Sequence, residues 1–221
     1  MTQDIKRLLL WLLAGLIIIG SIILIMFSAK PTIPNDPTET ISVELIEQVN
    51  DKDWKRGAAS GKVTIVEYSD FQCPACGYWS TEVEKLVDEF GSDLTFVYRH
   101  LPLKSIHKNA ELAALASEAA GLQGKFWEMH DKLFENQNVW SKLTGNDFKA
   151  QLANYAKDLG LDTAKFAEDL ESDEVADKVN EDLASANRLG LNSTPSFFFD
   201  GKLIRPDSPA GFRNLVREAL K

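Results

Sequence analysis

The chain contains two cysteines, Cys73 and Cys76, and only two residues separate them. A small secreted scaffold that depends on disulfide bonds carries more cysteines and spreads them along its sequence. A disulfide between these two cysteines cannot link distant segments of the chain, so the fold does not rely on structural disulfides. Whatever chemistry the two cysteines perform is local.

Length and charge narrow the possible classes of protein further. A chain of 221 residues is long enough for one sizeable domain and a short appendage. The formal net charge is -9, whereas a general nucleic-acid binder needs a basic face. We therefore expect no nucleic-acid partner.

An apolar stretch dominates the N-terminus. Residues 8–27 form an unbroken run of 20 residues without a charge, and at about 1.5 Å per residue a helix of this length spans roughly 30 Å, the thickness of the hydrocarbon core of a bilayer. Lys6 and Arg7 precede the run, and only Lys30 follows it closely. The positive-inside rule predicts a cytoplasmic tail over residues 1–7, a single transmembrane signal-anchor over 8–27 and an extracytoplasmic remainder.

Two other interpretations of this stretch remain open. A cleavable signal peptide has an apolar region of about 7–15 residues and small residues at its cleavage site, and the bulky Phe27 fits such a site poorly. A buried core helix is the third interpretation, and the length of the run argues against it. Three prolines between residues 28 and 40 predict an extended linker that holds the remaining domain, residues 41–221, off the membrane.

The first part of this domain predicts a strand–helix–strand unit. The pattern from Ile41 is mixed, and Lys55 and Arg56 are expected to be solvated surface. The β-branched run of residues 63–68 predicts a strand buried on both faces, residues 82–90 have helical apolar spacing, and residues 94–98 predict a second strand. Such a unit places the two strands parallel with a right-handed connection.

The second part predicts helices and then a hairpin. The region of about residues 105–189 has a helical pattern, and two apolar runs, residues 196–199 and 202–204, flank the turn Asp200-Gly201. A helix with apolar residues from Phe212 onward follows. The predicted class is α/β: a thioredoxin-like fold with an inserted helical subdomain.

The segment Cys73-Pro74-Ala75-Cys76 lies between the first strand and its helix. A free cysteine, with a pKa near 8.5, is mostly protonated at neutral pH, and the N-terminus of a helix favours the thiolate. We expect Cys73 to be the exposed attacking thiol and Cys76, one turn later, the resolving thiol, with Pro74 at the first helical position.

An inert pair or half of a zinc site is the alternative. Zinc needs two further ligands, and the three histidines do not follow finger spacing, so we expect no metal and no cofactor.

Several separated motifs resemble the DsbA-like family of thioredoxin-fold oxidoreductases, in particular its membrane-anchored bacterial members. They cover residues 64–76, 98–103, 123–127 and the pair Thr194-Pro195. The resemblance implies disulfide exchange with exported proteins that contain cysteines. It also implies a membrane redox partner, which is either a quinone-linked oxidant or a thiol reductant.

The resemblance assigns roles to three further residues. Glu67 matches the buried acid of the family and would exchange a proton with Cys76; a glutamate facing water from an edge strand is the alternative. Thr194-Pro195 matches the cis-proline loop, where the substrate pairs with the backbone of the residue before proline; the alternative is an ordinary trans proline.

The direction of exchange stays open at this point. Many strongly oxidising members have histidine where this chain has Ala75, so the redox poise is uncertain from sequence. An oxidase is the leading interpretation, a disulfide reductase or isomerase is the second, and a module that binds a soft metal such as copper(I) is the third.

Overall fold

A five-stranded sheet forms the centre of the computed structural model, which describes residues 46–221. The predicted tail, anchor and linker, residues 1–7, 8–27 and 28–40, lie outside the described residues. Among the residues that are described, no helix has both the length and the apolar character that a membrane span requires.

The sheet has the strand order β1-β3-β2-β4-β5. Its strands are β1 (Trp54–Gly57), β2 (Val63–Ser69), β3 (Leu94–His100), β4 (Ser196–Phe199) and β5 (Lys202–Ile204). β2 and β3 are parallel, and the other neighbouring pairs are antiparallel. This confirms the predicted parallel pair and the predicted hairpin.

Helix α1 (Pro74–Phe90) connects the two parallel strands. It begins eight residues before the apolar spacing that predicted it, immediately after Cys73. The last helix of the chain, α8 (Pro209–Ala219), buries Phe212 and Val216 in the same apolar core as α1, and the hydroxyl of Ser208 caps its first turn.

The predicted helical insertion is present between β3 and β4. It consists of six helices: α2 (Ala110–Gly121), α3 (Phe126–Glu135), α4 (Gln137–Trp140), α5 (Gly145–Asp158), α6 (Thr163–Asp169) and α7 (Asp173–Arg188). The helical region was predicted from about residue 105, but its first helix starts at Ala110, because turns occupy residues 104–106 and 108–109. Alanines on α2 are completely buried, which allows the helices of the insertion to pack closely.

The alternation of side chains along β2 and β3 divides the core in two. Val63 and Ile65 point to the face that also carries both cysteines and most of the insertion. Val66 and Tyr68 point to the opposite face, where Ala186 of α7 covers them. Side chains at odd-numbered positions of β2 therefore lie on the face that carries the cysteines, and those at even-numbered positions lie on the opposite face.

The expectation that Lys55 and Arg56 are solvated surface was wrong, because both side chains are half-buried and both residues belong to β1. Arg56 pairs with Asp131 at 2.7 Å and its guanidinium lies 4.3 Å from the centre of the Trp127 ring. Next to them, Trp54 stacks on Phe126 with ring centres 4.4 Å apart. Contacts with the insertion, rather than the local sequence pattern, therefore define this strand.

Candidate active site

The chain turns sharply between β2 and α1, and this turn carries both cysteines. Cys73 has extended backbone angles, φ -73° and ψ 122°, and is the N-cap residue of α1. Pro74 occupies the first turn, where a missing N–H removes no hydrogen bond. No side chain caps this helix end, so the amides of the first turn are available to stabilise an anion at Cys73.

The two thiols differ in accessibility. Cys73 is 8% exposed and Cys76 is completely buried, and both are free thiols. Pro74 and Ala75 between them are exposed. A reagent or substrate that approaches this turn from solvent therefore meets the sulfur of Cys73 and not that of Cys76.

The environment of Cys73 favours its thiolate. Its pKa is lowered to about 5, first because the Cys76 thiol donates a hydrogen bond to its sulfur, and then because the side chain of Thr194 and the backbone amides of Cys76 and Ala75 stabilise the anion; burial opposes these effects. A free cysteine has a pKa of about 8.5. Cys73 is therefore largely ionised at neutral pH.

The environment of Cys76 has the opposite effect. Burial raises the pKa of this thiol, the hydrogen bond that it donates to Cys73 raises the pKa further, and the nearby negative charge of Glu67 adds to the increase. Cys76 therefore keeps its proton in the dithiol form. One reactive anion and one protonated thiol lie next to each other.

Glu67 lies in the middle of β2, below the cysteines. It is 2% exposed, and its strand has neighbours on both sides, with Tyr98 of β3 and Phe197 of β4 as the paired residues. This position contradicts the alternative of an edge-strand glutamate that faces water. Burial raises the pKa of Glu67 to about 8, a hydrogen bond from the Ser69 hydroxyl at 2.7 Å opposes the rise, and the charge of Cys73 adds to it.

Thr194 and Pro195 form the loop that precedes β4 and faces Cys73. The peptide bond between them is cis. The carbonyl oxygen of Thr194 lies 3.5 Å from the Cys73 sulfur and accepts a weak hydrogen bond from it when Cys73 is protonated. The Thr194 hydroxyl favours the Cys73 thiolate, but it is buried and lies beyond ordinary hydrogen-bonding distance from any group in residues 46–221. The structure thus brings together all the residues that the sequence singled out as a site.

Sequence analysis did not single out the residues that hold the turn in place. The side-chain amide of Gln137, on α4, donates to the carbonyl oxygens of Phe71 at 2.7 Å and Cys73 at 2.9 Å. The fully buried carboxylate of Asp70 accepts from the backbone N–H of Gln72 and from the loop that follows β3. Apart from the local bond between Gln72 and Asp70, these contacts join residues that are far apart in sequence, so no spacing pattern could have identified them.

A metal centre has no obvious place in this arrangement. In the part of the chain that the structure describes, no group of three or more histidine, cysteine, aspartate or glutamate side chains is disposed to hold an ion. The site consists of a thiolate, a protonated thiol, a buried carboxyl group and the backbone carbonyl of a half-buried loop. Such a set is suited to thiol–disulfide exchange, in which a thiolate attacks a disulfide and a second thiol resolves the product.

Comparison with solved structures finds similar folds in other proteins. A thioredoxin-like oxidoreductase from Silicibacter pomeroyi DSS-3 is 29% identical, with a TM-score of 0.63 over 77% of this chain and 91% of that protein. BdbD from Bacillus subtilis, at 24% identity, shares the fold over 80% of this chain and 97% of its own, with a TM-score of 0.67. α-DsbA1 from Wolbachia pipientis, at 20% identity, shares it over 80% and 95%, with a TM-score of 0.65.

Sequence comparison adds a family and a set of longer relatives. The family model described as thioredoxin matches residues 49–218. A Na(+)/H(+) antiporter NhaA 1 from Mycolicibacterium vanbaalenii is 37% identical over 186 residues, which is 82% of this chain but 28% of that protein. The chain thus spans little more than a quarter of the length of this relative. The chain therefore belongs to the thioredoxin family.

Proposed function

We propose that the chain exchanges disulfides with exported, cysteine-containing proteins, with Cys73 as the attacking thiol and Cys76 as the resolving thiol. The observation that carries the proposal is the contrast between the two sulfurs. Cys73 is the partly accessible one and has a pKa lowered to about 5, whereas Cys76 is inaccessible and protonated. A protein substrate can therefore reach only the sulfur of Cys73, and Cys76 is the thiol that lies behind this sulfur.

Exchange runs through one mixed disulfide in either direction. When the chain acts as a reductant, the Cys73 thiolate attacks a substrate disulfide, and one substrate sulfur leaves as a thiolate. Cys76 then loses its proton and attacks Cys73, which forms the Cys73–Cys76 bond and releases the second substrate thiolate. When the chain acts as an oxidant, the same steps run backwards, and Cys76 leaves as a thiolate that takes up a proton.

Glu67 is the proposed partner in that proton transfer. Formation of the mixed disulfide removes the negative charge of Cys73, which is one cause of the raised pKa of Glu67. The carboxyl group therefore ionises more readily at the step in which Cys76 must give up a proton. In the oxidising direction a protonated Glu67 returns the proton to the Cys76 thiolate.

Thr194 is the proposed substrate contact. An extended substrate segment beside Cys73 can pair with the backbone at this loop as an added strand. The Thr194 carbonyl, 3.5 Å from the Cys73 sulfur, then fixes the approach of the substrate cysteine.

Oxidation of substrates is the direction that we favour. A thiolate that is stabilised in the dithiol form makes that form more stable, and hence makes the disulfide form a stronger oxidant. The pKa of Cys73, about 5, is lower than that of an ordinary cysteine, as expected of an oxidant. A quinone-linked membrane oxidant would regenerate the disulfide, and a thiol reductant would take its place if the chain were a reductase or isomerase.

The proposed location is the outer side of the cell membrane. Residues 8–27 would anchor the chain, residues 28–40 would act as the spacer, and the acidic domain of residues 41–221 would work outside the cytoplasm. Protease added to intact spheroplasts should digest the domain. Protection of the domain, or release of a soluble mature form, would contradict this topology.

The test of the activity uses a peptide with two cysteines and the variants Cys73→Ser and Cys76→Ser. Cys73→Ser should abolish exchange, because the attacking sulfur is gone. Cys76→Ser should instead accumulate the mixed disulfide, which mass spectrometry detects. Equal turnover by Cys76→Ser and the wild type would contradict the roles, and equilibration with glutathione gives the potential that decides between oxidase and reductase.

A further inference from the structure

One buried hydroxyl near the cysteines has no partner. Tyr98 of β3 is completely buried, and its hydroxyl makes no hydrogen bond to any described residue. A hydroxyl that is removed from water without a partner destabilises a fold. Phenylalanine would fill the same space without that penalty, so the hydroxyl calls for a functional explanation.

The position of Tyr98 relates it to the thiol site. It is paired with Glu67 across the two parallel strands, and both side chains lie on the face of the sheet that carries Cys76. Burial is the main cause of the raised pKa of Tyr98; negative charge on Glu67, Cys76 or Asp70 raises this pKa further, and the Ser69 side chain opposes the rise. The ring stacks on Phe71, with centres 5.1 Å apart, in the turn that leads to Cys73.

The neighbouring polar groups on this face have other partners, except for one ring nitrogen of His100. The Ser69 hydroxyl donates to Glu67, and the imidazole of His100 bonds to Glu118 at 2.7 Å through Nε2. The Nδ1 of His100 has no partner among residues 46–221, and a neutral ring that donates through Nε2 carries no proton on Nδ1 and cannot serve as a donor there. His130 of α3 meets the Tyr98 ring edge to face at 4.9 Å, and its Nδ1 bonds to Asp131. Burial lowers the pKa of His130, so it stays neutral at neutral pH.

The proposed exchange creates a need for one more donor. The Cys76–Glu67 pair shares a single proton during resolution, so one of these two buried groups must be an anion at that moment. A buried anion without donors is unfavourable, and the one donor that the structure already supplies to Glu67 is the Ser69 hydroxyl. A donor that is fixed in place before the charge develops stabilises the transition state most effectively.

We propose that the hydroxyl of Tyr98 is this donor, and that it hydrogen-bonds to the anion of the Cys76–Glu67 pair while the mixed disulfide is resolved. The proposal rests on the function proposed for Cys73, Cys76 and Glu67. In the dithiol form both groups keep their protons and the hydroxyl stays unpaired. The unpaired Tyr98 hydroxyl thus lowers the stability of the resting state and makes the second step, resolution of the mixed disulfide, faster.

The substitution Tyr98→Phe tests this directly, because it removes one oxygen atom. A mixed disulfide between Cys73 and a fluorescent cysteine peptide is prepared in acid, where Cys76 is protonated, and the pH is then raised by rapid mixing. We expect release of the peptide at neutral pH to slow about tenfold. This effect is smaller than the one that follows the loss of a donor from an oxyanion hole. We also expect the pH of half-maximal rate to move upward, since both anions lose a donor.

Two further readouts separate this role from a structural one. The first step, attack by Cys73 on a peptide disulfide, should keep its rate, and the melting temperature of Tyr98→Phe should stay the same or rise. An unchanged resolution rate and pH profile would overturn the proposal. A variant that melts at a lower temperature and slows in both steps equally would also overturn it, because Tyr98 would then only support the fold.

Tyr68 supplies the matched control on the opposite face of the sheet. Its hydroxyl lies 2.7 Å from the Ser185 hydroxyl and accepts a hydrogen bond from Arg99 at 3.0 Å. Tyr68→Phe should lower the melting temperature and leave resolution unchanged. A slower resolution in this variant would contradict the assignment to Tyr98 alone. If Cys76→Ser releases the peptide as fast as the wild type, the proposed function itself fails, which is a different outcome.

Discussion

The side-chain amide of Gln137 donates a hydrogen bond to the carbonyl oxygen of Cys73 across 2.9 Å. The same amide donates to Phe71, two residues earlier, at 2.7 Å. Gln137 belongs to the helical insertion, and Cys73 belongs to the turn between β2 and α1. The insertion therefore fixes the orientation of the residue that carries the accessible sulfur.

Removal of this contact should affect both stability and rate. In Gln137→Ala two carbonyl oxygens lose a donor, and we expect the free energy of unfolding to fall by about 1–3 kcal/mol. We expect peptide exchange to slow about tenfold, because small displacements of a reacting group have large effects on rate. Urea denaturation and single-turnover kinetics measure the two effects. Asn138→Ala, at the exposed neighbouring position, is the control, and equal behaviour of the two variants would contradict the assignment.

Substitution of Ala75 should change the redox potential. The side chain of Ala75 is exposed and offers neither charge nor hydrogen bond to the Cys73 sulfur, although its backbone amide stabilises the thiolate. In Ala75→His an imidazolium beside the sulfur should lower the pKa of Cys73 below about 5 and make the protein more oxidising, with about 30 mV for each tenfold change in the equilibrium constant.

Thiolate absorbance gives the pKa of Cys73 in both proteins, and equilibration with glutathione gives their potentials. Ala75→Ser serves as the uncharged control. The prediction is wrong if Ala75→His leaves both quantities at the values of the parent protein.

Glu67→Gln should stabilise the reduced protein in a way that depends on pH. The pKa of Glu67 is about 8 in the folded state and about 4.5 for an ordinary glutamate. Between these values the unfolded chain has lost the proton while the folded chain keeps it, so the wild type loses stability as pH rises through this window. The glutamine variant has no such loss.

The stability gained by Glu67→Gln should therefore be absent below about pH 4.5, grow up to about pH 8 and stay constant above it. At about 1.4 kcal/mol for each pH unit the gain reaches a few kcal/mol at neutral pH. Urea denaturation at several pH values measures it. Parallel stability curves for the two proteins would mean that Glu67 is not the group that titrates.

Asp70→Asn should weaken the turn before Cys73. The Asp70 carboxylate is buried and accepts three hydrogen bonds, from the backbone of Gln72 and Leu103 and from the imidazole of His107. An asparagine has one oxygen in place of two acceptors, so we expect a loss of about 1–3 kcal/mol in the free energy of unfolding. His107→Ala, which removes only one of the three donors, should lose less, and a larger loss in that variant would contradict this ranking.

Local sequence was sufficient to predict some elements because their causes are local. The β-branched run before the cysteines and the glycine turn at Asp200-Gly201 each determine their own conformation, and the structure has strands and a hairpin there. β1 was missed because its four residues include Lys55 and Arg56 and show no alternation. Its pairing with β3 and its contacts with the insertion determine it.

The same distinction applies to the candidate site. The cysteine pair can be recognised from two residues and their spacing. Gln137, by contrast, contacts Cys73 across 64 positions of sequence, and its position in a short helix carries no signal of its own. The missing partner of the Tyr98 hydroxyl is a property of three-dimensional packing and is invisible in a sequence pattern.

The contact between Cys73 and the Thr194 carbonyl spans 121 positions of the chain, and this separation has a consequence for biosynthesis. While the polypeptide is still being made, Cys73 emerges long before Thr194, and in the unfolded chain it is an ordinary thiol with a pKa of about 8.5. The part of its reactivity that depends on Thr194 therefore arises only when nearly the whole domain has folded. A nascent or misfolded copy carries two unremarkable cysteines and is a poor catalyst of disulfide exchange in the proteins around it.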